Sequence, residues 1–177
     1  MKEVIEAFDK YLLKKKLSFS AVVIGGAALQ VMGKVERVTE DVDCLFPTIP
    51  EEIKLASREF AKSFSKEAGY PLIAEWLNNG PMDLLRDLPK NWKEKILPLY
   101  EGKALKLQTL GRSDFLKTKL FAYCDRQQDC LALKPSRTEL KQCLRWVSIR
   151  DANPLWPEHV KKSFTLLAEK LGYGSLL

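Results

Sequence analysis

Strand and helix signals alternate over residues 1–112 and give way to helix signals alone over 113–177, which predicts an α/β (α+β) fold. The expected architecture is a small mixed sheet with covering helices and a C-terminal helical subdomain packed on that core. Two observations carry the expectation. The β-rich runs 19–24 and 42–46 bracket a short apolar segment of helix-forming residues, and "ILPLY" and "ALKLQTL" flank "EGK" in the manner of a hairpin, which makes the sheet mixed.

Each element has its own signal. Val4, Ile5, Phe8 and Leu12 recur at helical spacing and predict an amphipathic helix over 2–15, closed by Lys14, Lys15 and Lys16, whose charges complement the helix C-terminus. "FSAVVI" is a continuous buried strand ended by Gly25 and Gly26, and "AALQVM" begins a helix. A second strand over 42–46 stops at Pro47. The helix that follows runs from Pro50, with Ile53, Ala56, Phe60 and Phe64 on one face, to Gly69 near its C-cap. "PLIAEWL" is expected to be a third strand. From Ser113 the pattern is helical: "SDFLKTKLFAYCDR", then "SRTELKQCLRWV" opening with the capping box of Ser136 and Glu139, then a helix from Pro157 to Gly172.

Composition excludes several classes. No apolar run approaches the ~18 residues of a membrane span, and the N-terminus lacks the apolar block of a signal peptide, so a cytoplasmic protein without a membrane partner is expected. Cys44, Cys124, Cys130 and Cys143 are irregularly spaced and the chain has 1 histidine, His159, which argues against a zinc site and for reduced, buried thiols. The formal charge of +6 suits a polyanionic partner, although a modest excess of this kind is commonly a solvated surface. The four tryptophans, Trp76, Trp92, Trp146 and Trp156, are read as core before base-stacking platforms.

The chemistry concentrates in "VVIGGAALQVMGKVERVTEDVDCLF". Residues i and i+2 of a strand share a face, so Asp41 and Asp43 aim two carboxylates into one small volume. Their repulsion is relieved by a hard cation such as Mg²⁺, which is commonly shared between one or two carboxylates and substrate phosphates. Gly25 and Gly26 let the backbone approach a ligand, and the helix they open turns its N–H groups toward an anion. A glycine pair alone commonly marks a tight turn and a lone Asp-x-Asp an exposed loop. Together, with 14 residues between Gly26 and Asp41, they form an arrangement for a metal-bound nucleoside triphosphate.

"IGGAALQVMGKVERVTEDVD" resembles the signature of the nucleotidyltransferase superfamily that includes DNA polymerase beta: an apolar residue, GG or GS, a short helix, then Asp-apolar-Asp. With Arg37 and Thr39 ahead of Asp41 it resembles the minimal bacterial nucleotidyltransferases related to abortive-infection toxins. "LKTKLFAYCDRQQDCLALKPSRTELKQCLRWVSIRDANP" is similar to a second block of that group, and the likeness runs from about Val22 to Gly172. It implies a nucleotidyltransferase core over 1–112 and a helical subdomain over 113–177. Asp41 and Asp43 become the metal ligands and catalytic residues, with Gly25, Gly26, Arg37, Thr39, Lys119 and Arg126 contacting the nucleotide.

Lys119 and Arg126 are seven residues apart and share a helix face, bordered by Leu116 and Tyr123, as an exposed cationic edge or as phosphate ligands. In the second role Lys119 holds a β- or γ-phosphate, and Arg126 forks onto phosphate or anchors Asp129. Nucleotide-transferring members of the superfamily usually carry a third carboxylate, for which Glu75, Asp83 and Asp129 are the candidates. The expected activity is transfer of a nucleotidyl group from an NTP to a hydroxyl of RNA, protein or a small molecule, with Mg²⁺ or Mn²⁺. A toxin-like role implies tRNA or other RNA and a cognate antitoxin as partners. The alternative is a catalytically inactive module of the same fold that binds nucleotide, RNA or a partner protein.

Overall fold

The apolar spacing of Val4, Ile5, Phe8 and Leu12 becomes the buried stripe of helix α1, Lys2–Lys14. The chain is described from a computed structural model that covers residues 1–35, 39–69, 71–123 and 129–174. It forms two compact units, Met1–Gly111 and Arg112–Leu177.

In the first unit α1 is followed by β1 (Phe19–Ile24), α2 (Gly25–Val31), β2 (Val42–Phe46), α3 (Glu51–Ala68), β3 (Leu77–Asn78), β4 (Leu97–Glu101) and β5 (Leu105–Thr109). The five strands make one mixed sheet in the order β3-β2-β1-β5-β4. β1 pairs antiparallel with β2 and parallel with β5, and β4 and β5 form the expected hairpin. Along one sheet face Ala21, Val23, Cys44, Leu105 and Leu107 are buried. Phe8 of α1, Phe60 of α3 and Trp76 form an aromatic cluster, with Phe8 edge-on to Trp76 at 5.1 Å between ring centroids. Rings buried this completely contribute about 1.5–3 kcal/mol each.

The strand expected over 71–77 shrinks to Leu77–Asn78. Local bonds divert the backbone before it. The Leu72 N–H donates to Ser65 Oγ at 2.8 Å, the Trp76 N–H closes a turn on the Ile73 carbonyl, and the Trp76 indole donates to the Ser57 carbonyl at 3.2 Å. Trp76 therefore anchors in the core as a turn residue. Two 3₁₀ segments, Gly80–Asp87 and Trp92–Lys95, lie between β3 and β4.

The second unit contains α4 (Arg112–Tyr123), the single turn α5 (Asp129–Ala132), α6 (Arg137–Ser148) and α7 (Trp156–Lys170). The capping box is complete: Ser136 Oγ accepts from the Glu139 N–H, and the Glu139 carboxylate accepts from the Ser136 N–H at 2.8 Å. Cys44, Cys130 and Cys143 are buried free thiols, and Cys124 lies outside the described residues. Burial pushes the Cys143 thiol up to about 11, so it stays protonated and unreactive at neutral pH.

Candidate active site at the β1–α2–β2 edge

β1 passes directly into α2 at Gly25, and the residue before it, Ile24, lies opposite Asp43 on β2. Gly25 takes a φ of +81°, a conformation L side chains rarely adopt, and a Cβ on it would overlap Oδ2 of Asp43. Glycine is therefore required here for its backbone angle and for its missing side chain. The carboxylate fills the space that glycine leaves at the strand-to-helix junction. α2 is the short helix expected, seven residues long, and Ala27, Ala28 and Leu29 bury it.

Asp41 sits one residue ahead of β2, and both aspartates are half-buried. Thr39 Oγ1 donates to Asp41 Oδ1 at 3.3 Å, which orients that carboxylate. Arg37 lies outside the described residues.

β3 runs parallel to β2 with Asn78 in register with Asp43. Paired residues of neighbouring strands share a face, so an amide stands beside the carboxylate. Asn78 Oδ1 accepts the Gly80 N–H at 2.7 Å. The next residue, Asn79, accepts from the Ile49 N–H at 2.8 Å and donates to the Cys44 and Pro47 carbonyls at 3.0 Å, which fastens the end of β2. Neither asparagine was singled out in the sequence. The signal available was the pair of polar residues straight after "EWL", but its meaning depends on a parallel register.

Of the acidic candidates for a third carboxylate, Glu75 and Asp83 lie in the first unit. Glu75 is on an exposed turn ahead of β3, with Arg58 of α3 at 3.4 Å. Asp83 is on an exposed 3₁₀ segment beside Arg86, also at 3.4 Å. Asp129 belongs to the second unit.

In that unit Lys119 and Asp129 meet in a nearly buried ion pair at 2.7 Å, with side-chain exposures of 8% and 12%. Cys130 Sγ donates to the Lys119 carbonyl at 3.1 Å, tying α5 to α4. Lys117 pairs with the buried Asp114 at 2.8 Å. Arg126 lies outside the described residues. The Arg112 guanidinium forks onto Glu139 at 2.7 and 3.2 Å, and chiefly this bond holds the Glu139 carboxyl down at about 2 against the opposing effect of burial.

Two half-buried carboxylates offer hard oxygen donors, the type Mg²⁺ and Mn²⁺ select. No group of three His, Cys, Asp or Glu residues able to hold a metal occurs among the described residues. The donor set fits an ion that two protein carboxylates share with a substrate's phosphates.

A family model described as a nucleotidyltransferase of unknown function (DUF6036) matches residues 1–136. No curated protein and no solved structure matches the chain.

Proposed function

Because the chain belongs to the DUF6036 family of nucleotidyltransferases of unknown function, we propose that it transfers a nucleotidyl group from an NTP to a hydroxyl acceptor with the help of Mg²⁺ or Mn²⁺. The observation that carries this reading is the close approach of Asp43 to Gly25, with Asp41 one residue before the strand. That junction seats one carboxylate against a side-chain-free turn with a second two residues earlier, an arrangement suited to holding the metal of a metal-bound triphosphate.

Asp41 and Asp43 would hold the ion, with Thr39 fixing the orientation of Asp41. The bound ion neutralises phosphate charge and makes the acceptor oxygen a better nucleophile. Gly25 and Gly26 would admit the triphosphate close to the backbone, and that positioning supplies much of the catalysis in phosphoryl chemistry. The acceptor oxygen bonds to the α-phosphorus, the bond to the bridging oxygen breaks, pyrophosphate leaves with the electron pair, and the acceptor's proton is released to solvent. Asn78 adds a hydrogen-bonding amide beside Asp43 without a third negative charge. A phosphate role for Lys119 would use the ammonium donors that its 2.7 Å pair with Asp129 leaves over.

One observation favours the binding-module reading. Asn78, in register with Asp43, cannot take a proton as a carboxylate would. The two readings separate when the chain is incubated with each α-labelled NTP, Mg²⁺ and a whole-cell extract. A transferase labels an acceptor and loses this with Asp41→Ala, whereas a module binds Mg-NTP and labels nothing across all four nucleotides.

A further inference from the structure

The sheet face that carries Asp43 also carries a groove that the proposed site leaves unused. Ser20 and Val22 of β1 share this face with Ile24 by strand alternation, and Gln108 joins them through its pairing with Val22. Phe46 is three residues from Asp43, which on a regular strand would turn it to the other side. The register shifts between Val22 and Val23, so Val22 pairs with Phe46 while Ile24 pairs with Asp43. This bulge returns Phe46 to the face of Asp43.

Ser20, Phe46, Trp92, Lys93 and Gln108 border a pocket of about 280 Å³. Phe46 and Trp92 meet edge-on at 6.0 Å, and Lys93 Nζ lies 4.1 Å from the Phe46 ring centroid. Two aromatic walls, a polar floor of a hydroxyl and an amide, and a cation at the rim suit a nucleobase with its attached phosphate. Ser20 is shared with a second pocket of about 190 Å³, bordered by Ser18, Lys103 and Lys106. Glu101 pairs across from Lys106. No carboxylate forms an ion pair with Lys93, Lys103 or Lys106 among the described residues. From Ile24 to Ser20 the track is roughly 13 Å long. That length spans several phosphates of a stacked strand at roughly 3.4 Å each.

We infer that this groove binds a single-stranded nucleic acid, with one base against the exposed ring of Phe46 and its backbone along Lys93, Lys106 and Lys103. One cation at the aromatic pocket and two at the adjoining pocket that shares Ser20 match a strand carrying several phosphates, whereas a mononucleotide presents its phosphates at one end. As the acceptor's path to Asp41 and Asp43 the inference rests on the transferase reading, but the binding itself does not.

The test is fluorescence polarisation of a dye-labelled hexa-adenylate titrated with the full chain in EDTA. Saturable binding is expected, about tenfold weaker in Phe46→Ala, since each stacked base contributes on this order. Lys93→Gln, an exposed change that removes only charge, should weaken binding and make the salt dependence shallower by about one phosphate contact. Unlabelled AMP and hexaglutamate at the same concentration should not displace the probe. The inference is overturned by absence of binding, by parent-like affinity of both variants, or by equal competition from AMP (a base-only pocket) or hexaglutamate (an acidic-peptide surface). Titrating the same proteins with Mg-ATP in buffer without EDTA keeps the two readings apart: Phe46→Ala should retain that binding, and its absence in the parent chain counts against the nucleotide site alone.

Discussion

In two places within the first unit a glycine has no room for a Cβ because an aspartate occupies it. Gly25 underlies Asp43, and Gly102 underlies Asp9. At the β4–β5 turn Asp9 is buried, and its oxygens accept the backbone N–H groups of Lys103, Ala104 and Leu105 at 3.2, 2.8 and 2.7 Å. At the β1–α2 junction Asp43 is half-buried, Gly25 is in the left-handed region, and a second carboxylate stands two residues earlier. The same packing device thus serves two ends. Asp9 uses its hydrogen-bonding capacity to close a hairpin, whereas Asp43 is half-buried at a strand-to-helix junction beside a second carboxylate.

The largest expected effect lies at Asp43. Under the proposed transferase reading Asp43→Ala should lower nucleotidyl transfer by about a thousandfold or more, because the metal would lose one of its two protein ligands. The midpoint of urea unfolding should barely move. A large loss of stability would erase the contrast by making Asp43 structural as well.

On the closed side Asp9→Ala should cost about 3 kcal/mol in urea unfolding, since three backbone donors lose their acceptor and two of these bonds are buried. Transfer per folded molecule should be unchanged.

The glycines sharpen the comparison further. Gly25→Ala should cost about 1–2 kcal/mol for its left-handed backbone and should also abolish metal-dependent nucleotide binding, because the new methyl group displaces Asp43. Gly102→Ala should cost a similar amount, about 1–3 kcal/mol, by pushing Asp9 off its donors, and should leave nucleotide binding intact.

The smallest effect is on pH dependence. Burial pushes the Asp9 carboxyl up, but its backbone donors and the Tyr100 hydroxyl outweigh this and leave it below its ordinary 3.8. A depressed carboxyl contributes stability above its ordinary value and loses it as pH falls below that value. Glu139 in the second unit follows the same sign, with its contribution present above 4.5 and lost as pH falls toward 2. Acid unfolding followed by circular dichroism should therefore begin below about pH 4, and Glu139→Gln should flatten that limb.

Much of this was legible in sequence. The strands 19–24 and 42–46, the hairpin and the capping box each declare themselves through short-range signals: apolar runs, turn residues, and Ser136 three before Glu139. "PLIAEWL" misleads because its composition suits a strand, while Trp76 is claimed by the core and by the Ser57 carbonyl, contacts set by α3. Gly25 and Asp43 could be suspected as partners from their order along the chain, but their overlap depends on the β1–β2 register. Asn78 escaped notice because its neighbour, Asp43, is brought beside it by a parallel pairing across α3. Lys119 and Asp129 were read as nucleotide-site candidates, and their mutual pairing follows from the way α5 turns back on α4.

The measurement closest to the central claim is a calorimetric titration of ATP into the chain with and without Mg²⁺, repeated with Asp43→Asn. If the glycine-backed carboxylates hold a metal for a triphosphate, binding appears only with the divalent ion, and Asp43→Asn loses it while unfolding at nearly the same urea concentration as the parent. Equal affinity with and without Mg²⁺, or an Asp43→Asn variant that binds Mg-ATP like the parent, would contradict the account.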